Sequence, residues 1–250
     1  MPLLKKFTPK KILIFLLVVS FGLFVIDIVI VYLGYKYYLW YSSKTFFNFH
    51  NLFSLLSETS IPTLFSILNL LFSSVLLWVI AKNAKATEGK NRYFWISLSV
   101  IFLFLAFDEG TQIHELIGVF TNSFFNFPLG HPLHYSWVIP YSILILIIGL
   151  IYFKFLFTLP LAIRNGIIAA GLLFVIAAIG LELVEAMELR SLDRGSYIRK
   201  YNFDRAYVVP AVQELMEMVA ISFFNYILLK YIAMEKIKVE FSVPDNSKLS

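Results

Sequence analysis

Residues 107–115 read FDEGTQIHE and follow directly on the apolar run WISLSVIFLFLAF, so Asp108, Glu109, His114 and Glu115 stand where lipid-facing residues are expected. Carboxylates beside an imidazole are the groups that move protons or hold a divalent cation. Two further carboxylate pairs sit in apolar surroundings at i, i+3, Glu182 with Glu185 and Glu214 with Glu217. On a helix such pairs project about 60° apart and present both acids to one side. Like charges gathered a few ångströms apart cannot all stay ionised without protons, arginines or metal ions. The residue types therefore point to a shared site. Asp108, Glu109 and Glu115 are its candidate catalytic carboxylates, and His114, Glu115, Asp108, Glu182, Glu185, Glu214 and Glu217 its candidate metal ligands. Glu58 in SETSIP and His131 and His134 in GHPLHYSW are possible accessories. A His and carboxylate donor set suits Fe, Zn or Mn.

The elements that must carry these groups follow from composition. The 250-residue chain is 59% hydrophobic and 15% charged, with a mean hydropathy of +0.78, which is far from a soluble domain and reads as a membrane protein. Six apolar segments, approximately 12–34, 61–81, 93–117, 137–159, 164–188 and 208–232, are each long enough to cross a hydrocarbon core of about 30 Å. The expected fold is all-α, a polytopic integral membrane protein with a six-helix bundle as a single domain over 1–234 and a polar cytoplasmic tail over 235–250. The first segment is too long for a signal peptide and lacks a small-residue cleavage site, so it reads as a retained anchor. With the N-terminus inside, fourteen of the twenty-one Lys and Arg residues fall on the cytoplasmic side, which favours N-in, C-in. Cysteine is absent, and disulfides and thiolate metal sites with it. The net charge of +5 lies mainly in cytoplasmic loops and suits anionic lipid head groups, not nucleic acid.

That topology, drawn without the histidines, places all four of them and most carboxylates at the outer membrane face, the periplasmic or exterior side of a cell membrane. A buried Asp costs roughly 2.5–3.5 kcal/mol on insertion scales, so these groups must face one another or water. In one unbroken third helix, Asp108, Gln112 and Glu115 would share a face while Glu109 and His114 point to opposite flanks. Asp27 lies deep in the first span without an evident partner. Arginines of RSLDRGSYIRKYNFDR offer the structural alternative, an ion-pair network. HExxH, Glu-x-x-His, G-x-S-x-G, P-loop and dinucleotide patterns are missing.

SETSIPTLFSILNLL, FLFLAFDEGTQIHE and QELMEM, at these intervals, resemble a group of uncharacterised bacterial polytopic membrane proteins with a D-E-x4-H-E signature after the third span. The resemblance covers nearly the whole chain and places Glu58, Asp108, Glu109, His114, Glu115, Glu214 and Glu217 in the family pattern. It implies no particular reaction.

The reading is a metal-dependent membrane enzyme, hydrolase or oxidoreductase, acting on a lipid or other apolar substrate, with membrane lipids as partners. A transporter or channel for protons or cations is the second class. A structural accessory subunit is the third.

Overall fold

The computed structural model describes residues 8–37, 39, 43–84, 89–188 and 205–237. The RSLDRGSYIRKYNFD segment and the tail from residue 238 lie outside the described residues, as do Lys5, Lys6 and Lys85. The described residues are helical and contain no strand: α1 Pro9–Lys36, α2 Lys44–Phe53, α3 Ile61–Asn83, α4 Gly89–Thr111, α5 Ile113–Phe125, α6 Val138–Leu156, α7 Leu161–Val175, a π-helical turn Ile176–Leu181, α8 Glu182–Glu188 and α9 Arg205–Met234. Six helical stretches are long and apolar enough to cross a membrane, at Pro9–Lys36, Ile61–Asn83, Asn91–Thr111, Val138–Leu156, Leu161–Glu188 and Tyr207–Met234. The fold is a helical polytopic membrane bundle. Its outer surface is apolar, with Phe15, Val18, Leu146 and Leu150 all exposed, as a lipid-facing surface requires.

Local chemistry sets the helix starts. Thr8, Ser43 and Ser60 accept backbone N–H groups of Lys11, Phe46 and Thr63, and Pro9 and Pro62 occupy the first turns of α1 and α3. Each satisfies an orphan donor or preorganises the first turn. The last helix is the hub, packing against α1, α3, α7, the π turn and α8, while α3 lies along α4. At Gly166 a Cβ would stand 2.5 Å from Ile227 Cδ1, so only the absence of a side chain lets α7 approach α9 this closely.

The two ends of the bundle differ. One holds a dry cluster built from Leu77, Ile80, Trp95, Phe155, Ile163 and Leu228. Between it and the other end runs a hydrogen-bonded polar ladder. Asn69 donates to Ser222 Oγ at 3.0 Å and to the Met218 carbonyl at 3.3 Å, Asn225 donates to Asn69 Oδ1 at 2.7 Å, and Ser73 donates to Asn225 Oδ1 at 2.8 Å. These paired amides fix the register of α3 on α9 without stranding a polar group in hydrocarbon.

Two expectations change here. The third span is not continuous over 93–117: Gln112 adopts φ 57° and ψ 36°, the left-handed region, and separates α4 from α5. A left-handed residue ends the α-helical ladder. Asp27 is not without a partner. The Tyr207 hydroxyl lies 2.7 Å and 2.6 Å from its two carboxylate oxygens, and His50 Nε2 is 3.7 Å from Oδ1, with all three residues fully buried. The short helix α2, which sequence periodicity did not separate from the first loop, brings His50 to this cluster.

Candidate functional site

At the end opposite the dry cluster is a cavity of about 630 Å³. Its walls include Glu58, Asp108, Glu109, His114, Glu115, Glu182, Glu185, Glu214 and Glu217, so nine sequence-predicted site residues meet in one place. His131 and His134 do not line it. The His131 ring stacks on Phe127 at 4.7 Å and its Nδ1 accepts the Leu133 N–H, while His134 Nδ1 lies 3.3 Å from the Phe127 carbonyl. Both histidines thus engage their own loop.

The break at Gln112 sets the geometry of the first wall. It brings Glu109 and His114, which a continuous helix would send to opposite flanks, to the same cavity. Gln112 supplies no side-chain cap to α5. Asp108 does so from one turn back, its Oδ1 accepting the His114 N–H at 2.8 Å. The same oxygen is 3.4 Å from His114 Nδ1, and Oδ2 accepts the Tyr141 hydroxyl at 3.0 Å. Asp108 therefore has two roles, helix cap and partner of an imidazole. Because Nδ1 faces Asp108, Nε2 is the His114 nitrogen left to exchange a proton with a ligand.

A second wall comes from the fifth and sixth spans. The π turn over Ile176–Leu181 inserts its wider winding just before Glu182, which changes the direction in which the following acids project. Glu182 Oε1 accepts Trp137 Nε1–H at 3.2 Å, and its Oε2 accepts Gln213 Nε2–H at 2.9 Å. Glu185 Oε1 accepts the Tyr135 hydroxyl at 2.9 Å. On α9, Gln213 joins Glu214 and Glu217 one turn after the in-helix Pro210, and all four line the cavity. Leu70, Leu105, Phe174, Met218 and Ile221 complete an apolar wall.

The electrostatics are one-sided. Among the described residues no Lys or Arg lines the cavity, and His114 is the one basic side chain there. Burial alone would lower the proton affinity of His114, but its hydrogen bond to Asp108 and the charges of Asp108, Glu58 and Glu115 outweigh this, and its pKa is raised. Glu58 is the more open member. The protein around it still removes enough water to raise its pKa, reinforced by Glu115 and Asp108 and opposed by His114.

Among the described residues, no group of three or more His, Asp or Glu side chains stands close enough together to hold a metal ion. The acids share a cavity, but their side chains do not converge on one point as a metal shell requires.

Sequence reasoning missed Gln213, Tyr135, Trp137 and Tyr141 as partners of the acids. Gln213 was legible in QELMEM, one residue before Glu214; the aromatic residues come from a loop and span whose register only packing sets.

The family described as Domain of unknown function (DUF8692) matches residues 12–231, and the chain belongs to that family. No curated protein matches it. No solved structure matches it either.

Proposed function

We propose that this DUF8692 protein is a membrane enzyme that acts on a lipid or other amphiphilic substrate by carboxylate and imidazole acid–base chemistry in the cavity. The observation that carries the reading is the meeting of eight acids and one histidine on a cavity that also has an apolar wall. A substrate with both a polar head and a hydrocarbon part matches both surfaces.

The residues divide the work by environment. His114, turned by Asp108 and biased toward its protonated form, is suited to give a proton from Nε2 to a departing oxygen. Glu58, whose proton affinity burial raises above the ordinary carboxylate value, is suited to take one from an attacking water. The remaining acids make the cavity strongly electronegative and demand a compensating cation or protons.

The sequence points to Fe, Zn or Mn, and among the described residues no three His, Asp or Glu side chains form a shell for it. The chemistry above is accordingly written without one. The excess of Lys and Arg at the other end of the bundle supports a cavity facing the periplasm or exterior, with both termini cytoplasmic.

The second reading, proton or cation transport, draws on the polar ladder of Asn69, Ser73 and Asn225, which extends from the cavity toward the opposite end. Against it, the ladder runs into the dry cluster around Leu77 and Leu228, and its side chains are paired to one another. Of the arginines that an ion-pair scaffold would use, Arg190 and Arg194 lie outside the described residues, as does the side chain of Arg205.

The test is comparative lipid analysis. Purified wild type and His114→Ala are incubated with a total membrane lipid extract and the products resolved by mass spectrometry. A product formed by wild type and reduced at least about a hundredfold in the variant, the usual scale for a lost acid–base group, is the expected outcome. Identical profiles would remove the enzyme reading. Elemental analysis of the same samples, with an Asp108→Ala, Glu214→Ala control, tests the metal-free chemistry: stoichiometric Fe, Zn or Mn that vanishes in the control would overturn it.

A further inference from the structure

Gln213 is 7% exposed, and its amide is oriented by two carboxylates. Nε2 donates to Glu182 Oε2 at 2.9 Å and approaches Glu217 Oε1 at 3.5 Å. Turning the amide over would set its oxygen against both acids, so the observed orientation is the one electrostatics favours. The consequence falls on the other end of the amide. Gln213 Oε1 is buried and has no hydrogen-bond partner among the described residues.

A buried acceptor left unmade costs about 1–3 kcal/mol as a general rule, and this one sits beside carboxylates that have no Lys or Arg partner among the described residues. The corner formed by Glu182, Gln213 and Glu217 offers acceptors in excess and, among the described residues, no Lys or Arg. Its missing partner should be cationic, rich in donors and without acceptors. An ammonium group meets all three conditions, with three N–H donors and one charge. Trp137, already hydrogen-bonded to Glu182, adds an aromatic surface of the kind that attracts ammonium ions.

We propose that this corner seats the protonated primary amine of an amphiphilic substrate, with the hydrocarbon part along Leu70, Phe174 and Ile221. The proposal rests on the reading of the cavity as a substrate site and narrows the substrate to an amine-bearing one. A divalent metal is the less suitable occupant, because among the described residues no three acids or histidines converge on a common point.

The experiment uses n-octylamine, charged at neutral pH, with n-octanol as the neutral probe of equal chain length. Each is titrated into the detergent-purified full chain while tryptophan emission is followed, and Trp137→Phe identifies the signal that comes from the cavity. The expected result is a saturable change with octylamine, at least tenfold weaker with octanol. Gln213→Leu should weaken the amine about tenfold or more, and Gln213→Glu, which keeps an acceptor, should not. Should Gln213→Leu fail to yield folded protein, Glu217→Gln carries the same comparison. Equal response to amine and alcohol would overturn the proposal, as would unchanged amine affinity in the Leu variant. Mn²⁺ alone displacing the amine at one equivalent would also overturn it and make the corner a metal seat. Amine binding without any lipid product would sink the enzymatic reading but leave the seat standing; product formation without amine selectivity would do the reverse.

Discussion

His114 is the residue on which the electrostatics of the cavity turn, because it is the one described basic group facing many acids. Its pKa is raised in the fold above its ordinary value of 6.5 by Asp108 and the neighbouring carboxylates. A group that binds its proton more tightly folded than unfolded contributes stability that is fully present below the unfolded pKa. That contribution is lost as pH rises through the folded value. Thermal melts of the purified protein should therefore fall in midpoint as pH rises from 6.5 upward, and His114→Gln should flatten that limb. A variant that kept the same slope would show that another group carries it. Asp108 is a separate lesson: half of what it does, capping the His114 N–H, is structural, and loss of function in an Asp108 variant would not by itself make it catalytic.

At the scale of elements, the wall made by α4 and α5 depends on one backbone conformation. Gln112 sits at φ 57°, a region that costs an L-residue roughly 1–2 kcal/mol. Gln112→Gly should match or exceed wild-type thermal stability, while Gln112→Val, whose branched Cβ resists this region, should lose about 1–2 kcal/mol. Equal melting points for the two variants would contradict the left-handed break. The α7–α9 contact supplies a second test. Gly166→Ala places a methyl 2.5 Å from Ile227 Cδ1 and 2.8 Å from Cγ1, and overpacking of this kind costs about 1–3 kcal/mol. In a double-mutant cycle Gly166→Ala should cost less in an Ile227→Ala background than in the wild type, and an equal cost in both would mean the strain lies elsewhere.

Over the whole molecule, the first and last helices are tied together. Asp27 of α1, His50 of α2 and Tyr207 of α9 meet fully buried, joining segments 180 residues apart. Tyr207→Phe keeps the ring and removes the donor, leaving a buried carboxylate short of a partner at about 1–3 kcal/mol. The expected readout is a lowered melting point together with faster proteolysis of the segment from α2 to Ser60, which carries Glu58. An unchanged melting point would demote the cluster to a packing contact. The same long-range architecture separates the wet and dry ends: acids collect toward the span ends marked by Ile61, Thr111, Glu188 and Tyr207, and large apolar side chains fill the other end.

The helical class, six apolar spans and the gathering of acids at one end were legible from residues 1–250 alone, because hydropathy over about 20 residues reports the solvent a segment must meet. Charge at depth likewise obliges the acids to face inward, whatever the details of packing. The turns that aim them were not legible. The left-handed Gln112, the π turn before Glu182 and the Tyr207–Asp27 pair each depend on neighbours remote in sequence, and periodicity of 100° per residue presumes the regular helix that those features interrupt. Sequence determined that a polar site must exist at one end of this bundle. Tertiary packing decided which acids share it, which amide is left with an unanswered oxygen, and that Glu109 and His114 face the same cavity, since those outcomes are set by helix breaks and contacts between spans rather than by local pattern.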